Sequence, residues 1–177
     1  MDRPPIGGTQ KSRLRTSLDL PDEFEYVWNR SSNPSVVGDA YIADIAASQT
    51  ETTTVLGAAD DATGPFRNVI LIPAGAGVQK DIAPVMIAME AVADNALMKV
   101  QLCGWVPVIN ATNVGAAGAT AGNGILHILS TTGTAGKLDV GVATANTRSV
   151  GWITSTHGAA AGAEAVSGWF DGRTMRK

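Results

Sequence analysis

The sequence has little charge, one cysteine and no long hydrophobic run, and each shortage excludes a class of protein. Charged residues make up 16% of the 177 residues, below the roughly 25% of ordinary soluble domains. The single cysteine, Cys103, excludes a disulfide framework. Its place in an apolar segment is typical of a small buried side chain rather than a nucleophile. No apolar run reaches the length of about eighteen residues that a membrane span needs, so we expect no membrane partner.

Residues that carry catalysis or bind metals are also scarce. The two histidines, His127 and His157, have no cysteine or acidic residue at metal-ligand spacing. We expect His127 to be a core or interface histidine and His157 to lie in a solvated loop before Gly158. No nucleophile elbow, dinucleotide-binding glycine motif or phosphate-binding loop is present. The sequence therefore predicts that the protein is not an enzyme and has no metal, no cofactor and no small-molecule substrate.

The low charge favours a surface that is partly covered by other protein. The chain is long enough for one domain with its own core. Its net charge of −3 does not identify a partner, but so few charges leave little to solvate a complete surface. We expect part of this surface to be covered by copies of the chain. The alternative is a monomer whose surface uses Thr, Ser and Asn in place of charged residues.

The first 30 residues read as an extended N-terminal arm. Pro4-Pro5 and Gly7-Gly8 prevent a regular helix or strand near its start. The arm ends in an alternating segment that places aromatic side chains on one face of a strand. The predicted partner-binding residues are the bases and aromatics of this region: Arg3, Lys11, Arg13, Arg15, Phe24, Tyr26 and Trp28. Without an aromatic stacking platform among its bases, the arm does not predict nucleic-acid binding. The alternatives are an ordinary first strand and an arm that folds back on its own domain.

The remaining residues, 31–177, predict an all-β domain, a small barrel or sandwich of short antiparallel strands. Apolar or alternating segments separated by glycine-rich turns recur along this region. A low-complexity stretch at 111–124 predicts a flexible Gly/Ala loop. The segments predicted as strands are 23–28, 36–46, 49–56, 66–72, 85–109 as a hairpin, 125–129, 138–143, 148–155 and 165–170.

The longest apolar stretch, residues 85–109, predicts a hairpin that turns at Asp94-Asn95. In the register that separates polar from apolar residues, Glu90 lies opposite Lys99, Ala88 opposite Gln101 and Ala91 opposite Met98. Pro107 favours an edge position for the second strand, or an end near Val106. The alternative is a deeply buried helix over 81–99, because Ala, Met, Leu and Glu are good helix formers.

Three segments resemble a known family. They are VVGDAYIAD at 36–44, PVMIAMEAVADNALMKVQLCGW at 84–105 and GKLDVGVATANTRSVGWITST at 136–156. In this order they are similar to the small capsid decoration, or cement, proteins of tailed bacteriophages. The resemblance covers roughly 36–156 with gaps. The long N-terminal arm and the loop at 111–124 depart from the family pattern.

The resemblance implies a structural virion protein on the outer surface of an icosahedral head. Such a subunit binds the major capsid protein, often as a homotrimer or dimer, and stabilises contacts between capsomers. No catalytic residue carries over. The alternative is a phage tail, fibre or adhesin module that binds a host glycan or receptor. An exposed cluster of Trp105, Trp152 and Trp169 would favour sugar binding, whereas burial of these rings would favour the structural role.

Overall fold

The fold is built from short β-strands, of which the fifth, with 16 residues, is the longest. The structure is a computed structural model that describes residues 22–43, 68–74, 83–112, 124–129, 134–141, 147–158 and 163–173. No helix occurs within these ranges, so the all-β prediction is confirmed. In chain order the strands are β1 (Glu23–Asn29), β2 (Ala40–Ala43), β3 (Asn68–Leu71), β4 (Val85–Ala88), β5 (Leu97–Thr112), β6 (Ile125–Leu129), β7 (Leu138–Gly141), β8 (Thr147–Ile153) and β9 (Glu164–Asp171).

The strand pairings trace two closed circuits that share β5. The first circuit is β1-β3-β2-β4-β5, closed by the pairing of β5 with β1. The second is β5-β7-β6-β8-β9, closed by the pairing of β9 with β5. The β1–β3 and β5–β7 pairs are parallel and the other pairs are antiparallel. The 16 residues of β5 therefore serve one ring with their first half and the other ring with their second half.

Two hydrophobic clusters fill this architecture. The smaller one lies in the first ring and includes Tyr41, Met98 and Val100. The larger one joins the inward side chains of the second ring to the other face of β2 and β4, for example Ile42 and Ile87. All four residues of β4 are buried, because one face of this strand packs into each cluster. A strand covered on both sides reads as a continuous apolar run rather than an alternating one.

β5 continues past Pro107, where the sequence predicted an edge strand or a strand end near Val106. The strand runs to Thr112 and pairs with β9 on both sides of the proline. The register between these strands shifts between Val106 and Ile109. Since proline has no N–H to give to a ladder, a bulge at this position lets the strand continue.

The central hairpin is confirmed and the helix over 81–99 is excluded, but the predicted register is wrong by one residue. Ile87 lies opposite Gln101 and Ala88 lies opposite Val100, whereas the prediction placed Ala88 opposite Gln101. A shift of one residue exchanges the two faces of a strand. Here it places Ala88 and Val100 in the same cluster.

Hydrogen bonds to Ser35 account for the difference in register. The Ser35 hydroxyl donates to the carbonyl oxygen of Glu90 at 2.9 Å and accepts from the N–H of Val92 at 2.7 Å. Residues 90–92 therefore pair with the segment before β2 instead of continuing the β4–β5 ladder. Glu90 bonds the main chain of Lys99 through Oε1, at 2.6 Å. In the predicted register the Glu90 and Lys99 side chains formed a cross-strand ion pair. In the structure the Glu90 carboxylate instead accepts the main-chain N–H of Lys99.

The β body begins at Glu23, inside the range 1–30 that the sequence assigns to the arm. β1 pairs with β5 from Glu23 to Trp28. Asn29 ends the strand, and its buried side-chain amide donates to the carbonyl oxygens of Asn33 at 2.8 Å and Ala93 at 3.2 Å. Residues 1–21, the strand predicted at 49–56 and most of the predicted loop, 113–123, lie outside the described residues.

Candidate partner-binding surface

The outward face of β1 carries aromatic side chains in the alternation that the sequence predicted. Phe24 is 43% exposed and Tyr26 is 48% exposed, while Val27 between Tyr26 and Trp28 is fully buried. Trp28 is half-buried. Pairing with β5 holds the strand in place, with Phe24 opposite Gln101 and Tyr26 opposite Lys99. The three aromatic residues therefore lie together on one side of the first ring.

Basic side chains lie over two of these rings. The Lys99 ammonium is 4.3 Å from the centre of the Phe24 ring, and the Arg30 guanidinium is 5.9 Å from that of Trp28. These are distances at which a cation is attracted to the ring face. We refer to Phe24, Tyr26 and Trp28 with their two cations as the β1 aromatic face. The predicted bases of the arm, Arg3, Lys11, Arg13 and Arg15, lie outside the described residues.

A second aromatic surface crosses the strands of the second ring. Trp105 of β5 lies directly opposite Trp169 of β9, and Trp169 lies opposite Trp152 of β8. Trp105 is 44% exposed, and the other two side chains are partly exposed. Directly opposed residues point to the same face of a sheet. These three residues, called here the tryptophan row, thus form a strip across three neighbouring strands.

A row of polar side chains runs beside the tryptophan row. Two residues further along the strands, Cys103 lies between Glu23 of β1 and Asp171 of β9. Arg173 joins these acids: it donates through Nη1 to Glu23 Oε2 at 2.6 Å and through Nε to Asp171 Oδ1 at 3.2 Å. Asp22 accepts the N–H of Trp105 at 3.1 Å. The tryptophan row is therefore bordered by the carboxylates of Asp22, Glu23 and Asp171, and two of these carboxylates hold the arginine beside it.

Cys103 lies beneath this polar row and is buried, as the sequence predicted. Burial is the main cause that raises the pKa of its thiol, while Arg173 acts in the opposite direction. A raised pKa lowers the fraction of reactive thiolate at neutral pH. The geometry of Cys103 therefore fits a packed side chain.

The prediction for His127 is confirmed, and that for His157 is wrong. His127 is buried, and its Nε2 lies 3.0 Å from Asp139 Oδ2. His157 is also fully buried rather than solvated. Its Nδ1 lies 2.8 Å from the carbonyl oxygen of Gly158, and its Nε2 lies 3.1 Å from that of Ala111. The bond to Ala111 ties the segment after β8 to the end of β5. His157 therefore has a structural role in the interior, although the sequence predicted a solvated loop residue.

The ring of His157 faces acceptors on both sides. A neutral imidazole has one N–H, so only the doubly protonated ring can donate to both carbonyl oxygens. Glu164 Oε2 lies 3.7 Å from Nδ1 and also accepts the N–H of Gly158 at 2.7 Å. Among the described residues, no group of three or more His, Cys, Asp or Glu side chains is arranged to hold a metal ion.

Sequence reasoning named the three tryptophans of the row but not their alignment. Each lies in a segment predicted as a strand, and alternation within a strand shows only which residues share its two faces. The alignment depends on the register of β9 with β8, the strand before it, and with β5, which is far from both in the chain. In the part of the chain that the structure describes, no helix is long and apolar enough to cross a membrane.

Comparisons of the chain with protein-family models, with curated proteins and with solved structures found no match.

Proposed function

We propose that the chain is a structural virion protein, a capsid decoration subunit that binds the outside of an icosahedral head. Its partners in this proposal are the major capsid protein and further copies of itself, as a trimer or dimer. The proposal is supported by the three sequence segments similar to phage decoration proteins and by the low charge of the chain. A subunit of this kind acts by clamping neighbouring capsomers.

The observation that carries the proposal is the exposure of the β1 aromatic face. Phe24 and Tyr26 each leave more than 40% of their surface in solvent, and they belong to the same N-terminal arm as the predicted basic residues. Aromatic residues are enriched at the centres of protein interfaces, and tyrosine and tryptophan are enriched among the minority of interface residues whose truncation costs more than about 1 kcal/mol of binding energy. The cations over Phe24 and Trp28 give the same face a means to meet capsid carboxylates.

The test is binding to shells of the cognate major capsid protein that lack this subunit. We expect wild-type protein to bind and to raise the temperature at which the shells open. The double variant Phe24→Ser/Tyr26→Ser should bind at least about tenfold more weakly, as expected when two interface aromatics are removed. Deletion of residues 1–20 should weaken retention on the shell while leaving the β body folded.

Trp105→Ser is the matched control, since Trp105 is exposed to the same degree but belongs to the tryptophan row. It should bind shells like the wild type. A wild-type protein that does not bind the shell would overturn the proposed function. A double variant that binds as well as the wild type would show that the β1 aromatic face is not the docking surface.

The second candidate function is a tail, fibre or adhesin module that binds a glycan. One observation favours it: the three tryptophans lie in register on one face, with Trp105 exposed. The tryptophan row and the β1 aromatic face consist of different residues. Each candidate function therefore predicts that a different set of variants loses binding.

A further inference from the structure

We propose that the tryptophan row is a carbohydrate-binding platform that takes a neutral, linear β-linked polysaccharide. This inference goes beyond capsid decoration and rests on the second candidate function, which it deepens by naming the class of glycan that the row would take. Trp105, Trp169 and Trp152 are its contact residues, and the row of Glu23, Asp171 and Arg173 lies at its border.

The spacing of the row suits a chain of sugar rings lying across the strands. Neighbouring strands are about 4.8 Å apart, so the backbone positions of the outer two tryptophans lie about 10 Å apart. A pyranose ring with equatorial hydroxyls presents C–H bonds on its faces. Such a face packs against the electron-rich face of an aromatic ring, and its hydroxyls stay at the rim. Successive indoles can therefore meet successive sugar rings of one extended chain.

The bordering polar row supplies partners for the hydroxyls at that rim. The Glu23 side chain is 47% exposed, and the bond that it accepts from Arg173 uses one of the roughly four lone-pair sites of a carboxylate. Arg173 is held by both Glu23 and Asp171, so its orientation is fixed before a ligand binds. An aromatic strip with a few oriented polar groups at its edge is the composition of a small-ligand site.

The charges argue against a nucleic acid. Bases also stack on aromatic rings, but their phosphates require basic groups along the strip. Among the described residues, the border carries the carboxylates of Asp22, Glu23 and Asp171, and the arginine described there, Arg173, is paired with two of them. An anionic border repels a phosphate backbone and accepts hydrogen bonds from neutral sugar hydroxyls.

The experiment measures binding of cellohexaose and chitohexaose to the full chain by tryptophan fluorescence and calorimetry. We expect saturable binding of at least one of these neutral β-linked probes. Trp105→Ala should weaken it by about tenfold, the loss expected for one stacking contact, and the Trp105→Ala/Trp169→Ala variant should abolish it. Trp28→Ala is the matched control, because Trp28 lies on the β1 aromatic face, and it should leave the affinity unchanged.

Thermal unfolding of each variant shows whether the fold is kept, and Trp105→Phe should recover part of the affinity in a folded protein. Absence of saturable binding to both probes at millimolar concentration would overturn the proposal. Equal losses in Trp105→Ala and Trp28→Ala would also overturn it, as would tighter binding of a thymidine oligonucleotide. Shell binding by Trp105→Ser tests capsid decoration separately, so failure of one proposal is distinguishable from failure of the other.

Discussion

Nε2 of His127 lies 3.0 Å from Oδ2 of Asp139, and the two side chains are only 3% and 8% exposed. They face each other across the β6–β7 pair. Loss of one partner from a buried pair leaves the other polar group without compensation for its lost hydration. The Asp139→Ala variant should therefore lower the free energy of unfolding by about 3 kcal/mol, measured by urea denaturation at neutral pH.

Glu164→Ala provides the comparison, since Glu164 also faces a buried histidine but its own side chain is 42% exposed. Solvent screens such a carboxylate, so its removal should cost no more than about 1 kcal/mol. Equal destabilisation by the two variants would show that burial of Asp139 is not what makes its pair with His127 important.

Gly104 lies where the chain before β1 crosses β5. Its φ is 111°, and an added Cβ would lie 2.1 Å from Asp22 Oδ1 and 2.8 Å from Asp22 Cα. Both the backbone conformation and the contact exclude a side chain. We expect Gly104→Ala to lower the free energy of unfolding by about 2 kcal/mol or more and to weaken the attachment of β1.

Gly141 is the matched control, because an added Cβ there would meet only His127 Cε1 at 3.8 Å, an ordinary contact. Gly141→Ala should change stability by less than about 1 kcal/mol. Thermal unfolding of both variants makes the measurement, and a Gly104→Ala protein as stable as Gly141→Ala would contradict the close approach of Asp22.

Tyr41 gives the fold a stability limit at alkaline pH. Desolvation by burial is the main cause that raises the pKa of its phenol from 10.0 to about 12, with a smaller opposing effect from Ser31. The folded protein thus holds this proton more tightly than the unfolded chain. The resulting stability is fully present below pH 10 and is lost as the pH rises towards 12. The loss should be on the order of 2 kcal/mol.

Chemical denaturation between neutral and strongly alkaline pH tests this dependence. Tyr41→Phe keeps the packed ring and removes the titrating hydroxyl, so the decline above pH 10 should become shallower. Tyr26→Phe should keep the wild-type decline, because Tyr26 is 48% exposed. Identical pH profiles for the wild type and Tyr41→Phe would refute the assignment.

The positions of most described strands could be predicted because side-chain alternation and turn residues act locally. The segment at Ile125–Leu129 was predicted with the boundaries that the structure shows. The register of the β4–β5 hairpin could not be predicted. It depends on Ser35, whose bond to Glu90 joins residues 55 apart in the chain.

The candidate surfaces divide in the same way. The β1 aromatic face follows from alternation within one strand, so Phe24, Tyr26 and Trp28 could be grouped from sequence alone. The tryptophan row depends on three strands meeting in one register. The burial of His157 depends on acceptors supplied by Ala111, 46 residues away. Neither the alignment of the tryptophans nor the contact of His157 with Ala111 can be predicted from the residues next to them in the sequence.

The sharing of β5 between the two rings makes them one cooperative unit. Neither ring closes without this strand, so separation of β5 from its neighbours opens both rings and both hydrophobic clusters together. The main-chain amides of β5 should therefore exchange with solvent only through global unfolding. Binding energy gained on the β1 aromatic face or on the tryptophan row would consequently protect the whole β body against unfolding, since both surfaces are anchored to this strand.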